Sequence, residues 1–378
     1  MRRLALYVGL IGYGVGMFLV CDLVFSSFFY RQGEGKVRVA HAAYHHGLAP
    51  SVDGYSRWGE LPYRIKTNSL GFKDAAVRDV PLQTDARRVV LIGDSFTEAV
   101  GIPFEESFAG LLYQAGHARE QRIEFLNAGV GSYSPTLYYK KIEHLIDSGL
   151  QVDEVIVFPD ISDVYDEATA YFCVDDDPGY RRHCSNISSI TPALRDFLNS
   201  RFVLTTRLHR IAKLHIRSFL GARKKALLDL ASRDEWGVRG GWTLPEYSAG
   251  NDYAPLGVDG GIQRALRNMR ALADLLRQRN IALSVVVYPW PSLVDREMRE
   301  SRYVALWREF CQGRCKAFID LVPQFIDMKK ANADWYERLF IPGDVHFSPG
   351  GHALVFRELS RHLLGTAKSL QQDGSGRG

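Results

Sequence analysis

The chain has 378 residues, of which 46% are hydrophobic and 24% are charged, as in an ordinary globular protein. This length is enough for one large or two ordinary domains. The formal net charge of +4 is small for the length, and the sequence has no nucleic-acid-binding motif. Together these features exclude a dedicated nucleic-acid binder.

The N-terminal segment, residues 1–30, is predicted to be a transmembrane anchor. Residues 4–21 are uncharged, which is close to the shortest length that spans a membrane as a helix. A cleaved signal peptide is the alternative, but the apolar run is long for one, and no small-residue cleavage site follows it closely. The positive charges on its two sides do not settle the orientation.

The cysteines indicate the compartment. Cys21 lies in the apolar segment, and the other four form two pairs that are close in sequence, Cys173 with Cys184 and Cys311 with Cys315. An even number in short loops predicts disulfides and an oxidising compartment. A zinc site is the alternative, but this spacing fits zinc poorly. We therefore expect a single-pass protein of a bacterial inner membrane, with its main domain in the periplasm.

Strands and helices alternate from residue 86 to residue 365, after a linker and N-terminal extension at residues 31–85. The predicted strands are residues 88–92, 122–126, 154–158, 281–288 and 317–321, and the predicted helices are about 104–115, 136–147, 262–276, 299–310 and 352–365. Near-continuous apolar strands joined by helices indicate an α/β fold. We expect three layers, α/β/α, around a mainly parallel five-stranded sheet.

The alternation is interrupted at about residues 165–260, which we interpret as an insertion. Its basic amphipathic piece, residues 201–225, is suited either to an anionic membrane surface or to packing on the domain as a solvated helix. The Gly- and Ser-rich residues 366–378 are predicted to be a disordered tail.

The first motif is Gly93-Asp94-Ser95, which follows an apolar run and precedes an amphipathic pattern. This order predicts a buried strand, a tight turn and the beginning of a helix. Ser95 would lie at the carboxyl edge of the sheet, where such sheets bind ligands, and near free helical N–H groups. A nucleophile needs these surroundings because the oxygen of the carbonyl it attacks becomes negative. The alternative is that Asp94 and Ser95 only cap the helix.

The second motif is Asp344-Val345-His346, just before the last predicted helix. A serine hydroxyl is a weak nucleophile until a base, usually a histidine oriented by a carboxylate, takes its proton. In an extended loop, side chains two residues apart point the same way, so Asp344 can receive one imidazole N–H while the other nitrogen faces Ser95. The alternative is that His346 is an ordinary loop residue.

With these two motifs near the start and at the end of the α/β domain, the sequence resembles the SGNH/GDSL hydrolase family. In that family an Asp-x-x-His block supplies acid and base, so Asp344-Val345-His346 is a variant spacing. The resemblance covers about residues 66–365 and is closest to membrane-anchored bacterial members, some of them similar to polysaccharide O-acetylation proteins. It implies Ser95, Asp344 and His346 as the catalytic residues, without a cofactor or a metal.

The resemblance also implies an oxyanion hole with three donors. The N–H groups of Ser95 and Gly129 correspond to the first two. The third block of the family, Gly-x-Asn-Asp, corresponds to Asp160-Ile161-Ser162-Asp163, so Asp160 replaces the glycine and Ser162 replaces the asparagine. Asn127 is a further candidate donor, with a role in the turn as the alternative.

Other residues are predicted to contact the substrate. Asp94, Asn127, Asp160 and Tyr133 lie around the expected site. The aromatic candidates for stacking on sugar rings are Tyr133, Tyr165, Trp290 and Trp335, although aromatic side chains more often belong to the core. The acidic residues 160–167 are interpreted as a solvated loop, with a cation site as the alternative.

These features predict a serine esterase or O-acyltransferase that acts on an acylated glycan of the cell envelope or of a secreted polysaccharide. A membrane acyltransferase complex is a candidate partner. One alternative is a non-catalytic glycan-binding or scaffold subunit of a membrane polysaccharide complex, which the altered third block favours. Another is a lipid esterase or thioesterase, suggested by the basic residues 201–225.

Overall fold

The computed structural model describes residues 2–29, 37–59, 61–119, 122–172, 204–205 and 235–364. The chain divides into two units, one of Met1–Gly35 with Asp175–Leu227 and one of Lys36–Val174 with Leu228–Gly378. The predicted Cys173–Cys184 pair, most of the insertion with its basic segment, and the 366–378 tail lie outside the described residues.

The first unit contains helix α1, Arg2–Phe29, which covers the predicted anchor. Within the described residues, no helix is long and apolar enough to cross a membrane. The Asp22 carboxylate of α1 accepts hydrogen bonds from the backbone N–H groups of Leu204 and Thr205.

The second unit contains nine strands and eleven α-helices within the described residues. The strands are β1 Arg38–His41, β2 His45–Leu48, β3 Asp53–Trp58, β4 Leu61–Lys66, β5 Arg87–Gly93, β6 Ile123–Asn127, β7 Glu154–Phe158, β8 Ala282–Val287 and β9 Ala317–Asp320. The helices are α2 Ser95–Glu98, α3 Phe108–His117, α4 Pro135–Asp147, α5 Asp163–Thr169, α6 Glu235–Gly240, α7 Gly257–Gln278, α8 Pro291–Asp295, α9 Arg302–Cys311, α10 Val322–Ala331, α11 Trp335–Leu339 and α12 Pro349–Leu363.

The central sheet has five parallel strands in the order β6-β5-β7-β8-β9. The predicted parallel sheet is therefore confirmed, with strand ends within about two residues of those expected. The apolar run of β5 is the centre of the core, since Val90, Leu91 and Ile92 have no exposed surface. Flanking helices cover the sheet, with α7 packed on α4 and α5, and α3 packed on β6 and α12.

The strand order places the site. The chain passes from β5 to the edge strand β6 on one side. It then crosses back to β7 on the other side of β5, so these two connections run in opposite directions across the sheet. Crevices form at such switch points beyond the carboxyl ends of the strands. Ser95 follows β5 and Asp160 follows β7, and both therefore lie at this edge.

The predicted N-terminal extension consists of two antiparallel hairpins, β1–β2 and β3–β4, which do not join the central sheet. Tyr63 and Ile65 of β4 are buried, so the second hairpin packs onto the domain. The hairpin ends with Trp58 paired to Leu61, and this end lies beside the candidate active site.

Candidate active site

The turn after β5 presents Ser95. Gly93 ends the strand where a Cβ atom would lie 2.9 Å from the Phe158 carbonyl oxygen, so only glycine fits there. Asp94 caps the short helix α2, with Oδ1 accepting the Phe96 N–H at 2.9 Å. Asp94 therefore has the capping role, whereas the hydroxyl of Ser95, a residue that is 8% exposed, is directed to another partner.

That partner is His346, from the loop between α11 and α12. Ser95 Oγ lies 2.7 Å from His346 Nε2, although 251 residues separate them in sequence. His346 Nδ1 lies 2.6 Å from Asp344 Oδ1. The structure therefore brings the three residues together in the arrangement that serine nucleophiles require: hydroxyl, imidazole and carboxylate in a chain of hydrogen bonds.

The Asp344 carboxylate is held on both oxygens. Its Oδ1 also accepts the backbone N–H groups of Val345 at 2.6 Å and His346 at 3.1 Å, and its Oδ2 accepts the indole N–H of Trp58 at 2.6 Å. Burial raises the pKa of Asp344, but hydrogen bonds from His346 and Trp58 more than offset it, and the net pKa is below the ordinary value. An ionised Asp344 accepts the Nδ1–H of His346, which leaves Nε2 free to take the serine proton.

Aromatic rings surround the imidazole. The Phe96 ring stacks on that of His346 at 4.5 Å between centroids, whereas Trp58 and Trp236 meet it edge-on at 4.7 and 5.5 Å. Phe96 is buried, while both tryptophans are partly exposed. Sequence reasoning missed both of them, because a single tryptophan in a hairpin or a long insertion has no pattern that connects it to His346.

Of the N–H groups predicted to donate to the oxyanion, one is free within the described residues and one already has an acceptor. Ser95 is the first residue of α2, and its N–H has no acceptor within the part of the chain that the structure describes. The Gly129 N–H already donates to Asn127 Oδ1 at 3.1 Å, and Asn127 Nδ2 donates to the Thr97 carbonyl at 2.8 Å. Asn127 therefore fixes the turn, which corrects its prediction as a donor.

The donor groups of Ser162 also have an acceptor already. Both its N–H and its hydroxyl donate to Asp160 Oδ2 at 2.7 Å. Asp160, which stands at the position of the glycine in the Gly-x-Asn-Asp block, therefore accepts the hydrogen bond that Ser162, at the position of the asparagine, could otherwise donate to an oxyanion. Asp160 in turn accepts the Trp290 indole N–H on Oδ1 at 2.8 Å. This arrangement contradicts the prediction that Ser162 donates to the oxyanion in the resting structure.

We therefore expect Ser162→Ala to lower kcat for a small ester by less than about 10-fold, whereas loss of a true oxyanion donor costs about 100- to 1,000-fold. The reason is that the Ser162 hydroxyl hydrogen already points at Asp160. Steady-state kinetics with p-nitrophenyl acetate measures this, with exposed Ser148→Ala as the matched control. A loss of 100-fold or more would mean that Ser162 turns towards the oxyanion during the reaction.

The acidic residues beside the site are buried, which corrects the interpretation as a solvated loop. Asp94, Asp160 and Asp163 are at most 3% exposed, and the Tyr138 hydroxyl donates to both oxygens of Asp163 at 3.1 Å. Burial, reinforced by the charge of Asp160, raises the pKa values of Asp94 and Asp163 well above the ordinary value. Among the described residues, no three His, Cys, Asp or Glu side chains are grouped as metal ligands.

The predicted substrate contacts are corrected in the same way. Asn127 is 2% exposed, Asp160 1% and Tyr133 0%, so these side chains belong to the interior and do not reach a substrate. Of the aromatic candidates for sugar stacking, Trp290 and Trp335 are buried as well. Tyr165 is partly exposed, and the Arg239 guanidinium lies 4.9 Å above its ring.

The fold and the site define an α/β protein with a Ser–His–Asp constellation at the carboxyl edge of a parallel sheet. No family model and no curated protein matches the chain. Solved structures that it resembles include proteins described as esterases and a protein described as a member of the G-D-S-L family.

Three of these structures illustrate the similarity. An acetylxylan esterase from Geobacillus stearothermophilus is 12% identical, with a TM-score of 0.41 over 74% of this chain and 95% of that one. A protein described as lipolytic and of the G-D-S-L family, from Desulfitobacterium hafniense, is 14% identical, with a TM-score of 0.37 over 73% and 99%. A psychrotrophic esterase from Pseudoalteromonas sp. is 11% identical, with a TM-score of 0.38 over 72% and 94%.

Proposed function

We propose that the protein is a serine-dependent carboxylic ester hydrolase or O-acyltransferase. The observation that carries the proposal is the continuous hydrogen-bonded chain from Ser95 Oγ through His346 to Asp344, with contacts of 2.7 and 2.6 Å. A buried histidine between a hydroxyl and an ionised carboxylate has the arrangement of a general base for nucleophilic attack.

The reaction would proceed in two acyl-transfer steps. His346 Nε2 takes the Ser95 proton as Oγ bonds to the ester carbonyl carbon, and the free N–H of Ser95 stabilises the resulting oxyanion. Collapse breaks the bond to the leaving alcohol, which receives the proton from His346. Water or a sugar hydroxyl then attacks the acyl-enzyme and gives its proton to His346. The bond between the acyl carbon and Ser95 Oγ breaks, and Oγ takes the proton back from His346.

The proposed substrate is an O-acetylated glycan. Trp58 and Trp236 support this, since both indole rings are partly exposed beside the catalytic imidazole and an indole ring has an apolar face on which a pyranose ring can stack. The disulfide Cys311–Cys315, which matches the predicted pair, supports an oxidising compartment such as the periplasm. We also propose a membrane acyltransferase complex as the partner of this protein.

Labelling by a fluorophosphonate probe tests the nucleophile. We expect wild-type protein to be labelled covalently and Ser95→Ala to remain unlabelled. Incubation of the acetyl-enzyme with an oligosaccharide, followed by mass spectrometry, then separates transfer from hydrolysis. Absence of labelling in folded wild-type protein would favour the non-catalytic glycan-binding subunit, and faster turnover of long-chain than of acetyl esters would favour a lipid esterase.

For the glycan we predict that Trp236→Ala raises KM for an acetylated oligosaccharide by about 10-fold or more, because truncating a tryptophan that covers a ligand costs on the order of 2 kcal/mol. KM for ethyl acetate should change by less than about 3-fold, since this ester has no ring that could cover the indole. Equal effects on both substrates would contradict a sugar-stacking role for Trp236.

A further inference from the structure

The second hairpin reaches the candidate active site through one side chain. Trp58 is the last residue of β3, in a part of the chain outside the central sheet. Its indole Nε1 donates to Asp344 Oδ2 at 2.6 Å, across 286 residues of sequence. The other oxygen of the same carboxylate faces His346 Nδ1 at 2.6 Å. Trp58 and His346 therefore hold Asp344 from its two sides.

The indole ring is itself fixed by packing. It packs against a buried cluster of Ala99, Ile102 and Ile341, where Ile341 belongs to the loop that carries Asp344. At Gly101 a Cβ atom would lie 3.3 Å from Trp58 Cβ, so the chain passes close beneath the ring. The ring also meets the His346 imidazole edge-on at 4.7 Å. Rotation of the indole away from Asp344 would break its packing on this cluster and its contact with the imidazole.

We propose that Trp58 is a positioning residue for the Asp344–His346 pair, so that the N-terminal hairpin completes the site. The inference rests on the proposed function. The carboxylate torsion of an aspartate is broad and roughly two-fold, so a carboxylate held only by His346 and its own loop can rotate. An indole N–H is a donor only, and it selects the one orientation in which Oδ2 points to Trp58 and Oδ1 to the imidazole.

The donor also sets the charge facing the imidazole. Without the Trp58 N–H, more of the negative charge of Asp344 resides on Oδ1, which stabilises the protonated form of His346. A protonated His346 cannot accept the Ser95 proton. The acidic limb of the pH profile of kcat/KM should therefore move to higher pH when the N–H is removed, whereas a variant that keeps this donor should leave the limb in place.

Other groups around the pair stay unchanged in such a test. Asp94 faces Ser95 Oγ at 3.2 Å, the Tyr336 hydroxyl donates to the Asp344 carbonyl at 2.9 Å, and the buried His352 lies near His346. None of them contacts the Trp58 indole N–H. A shifted acidic limb is therefore attributable to the missing donor.

The experiment compares Trp58→Phe, which keeps an aromatic ring and loses the N–H, with Tyr55→Phe, an exposed residue of the same strand. We expect Trp58→Phe to lower kcat for p-nitrophenyl acetate by about 10- to 100-fold, with KM within about 3-fold. The same range applies to the loss of a hydrogen-bond partner that orients a metal-ligating side chain. The acidic limb should move to higher pH, and Tyr55→Phe should match wild type. Unchanged kcat and an unchanged limb in folded Trp58→Phe overturn the proposal.

Fluorophosphonate labelling separates this proposal from the proposed function. Wild-type protein that is neither labelled nor active refutes the function, whereas active wild-type protein with an indifferent Trp58→Phe variant refutes only the role of Trp58. If Trp58→Phe fails to fold, tryptophan ¹⁵N NMR replaces it. We then expect one indole N–H resonance to shift in Asp344→Asn, and an unchanged set of indole resonances would overturn the proposal.

Discussion

Replacing Ser95 by Ala should abolish the proposed ester turnover, with a fall in kcat of about 10⁴- to 10⁶-fold, as in serine enzymes that lose their nucleophile. The physical reason is that Ser95 Oγ is the hydroxyl within 2.7 Å of the buried His346 Nε2, so it is the oxygen that the imidazole can deprotonate. His346→Gln should cost about as much, because residues of one catalytic unit act together and their effects do not add.

Two measurements make this prediction specific. Hydrolysis of p-nitrophenyl acetate gives kcat, and covalent labelling by a fluorophosphonate reports the nucleophile directly. The matched control is Ser148→Ala, since this exposed hydroxyl only donates to the His144 carbonyl. Turnover by Ser95→Ala within about 10-fold of wild type, in protein of unchanged thermal stability, would refute acyl transfer through Ser95.

The largest effect on stability is expected for Arg88→Met. Arg88 has no exposed side-chain surface, and its Nε donates to Glu124 Oε2 at 2.7 Å. Its other nitrogens donate to the carbonyl oxygens of Pro81, Leu82 and Gln151. Methionine fills much of the volume but supplies none of these donors. Removing one partner of a buried ion pair typically costs about 3–5 kcal/mol of unfolding free energy.

Urea unfolding followed by tryptophan fluorescence measures this loss. Arg277→Met is the matched control, because Arg277 is 79% exposed and its pair with Asp274 should contribute less than about 1 kcal/mol. Folded Arg88→Met should retain ester turnover, since Arg88 lies at the start of β5 and Ser95 follows its end. A loss below about 1 kcal/mol would show that water replaces the guanidinium without penalty.

The sequence was sufficient for the sheet and for the three central residues of the site. Apolar runs such as Val89–Ile92 have few alternatives to a buried parallel strand, and the residues that follow such strands meet at one edge. Ser95 and His346 could therefore be placed together from their positions relative to predicted elements. The order of strands and the contact itself came from the structure.

What the sequence could not predict is which hydrogen-bond partner each polar side chain takes. Ser162 has a hydroxyl at the expected position, but whether it donates to an oxyanion or to Asp160 depends on distances of a few tenths of an ångström. Trp58 contacts Asp344 across 286 residues, and no periodic pattern records such a contact. Tyr133 resembles a sugar-stacking residue in sequence, yet packing buries it completely.

The chain separation within the site has a consequence during biosynthesis. Ser95 and His346 are 251 residues apart, so a ribosome completes the serine long before it adds the imidazole. Throughout that interval the growing polypeptide has a hydroxyl with no base to activate it. The contact between the two side chains can form only after residue 346 has been synthesised and its loop has packed beside the turn that follows β5.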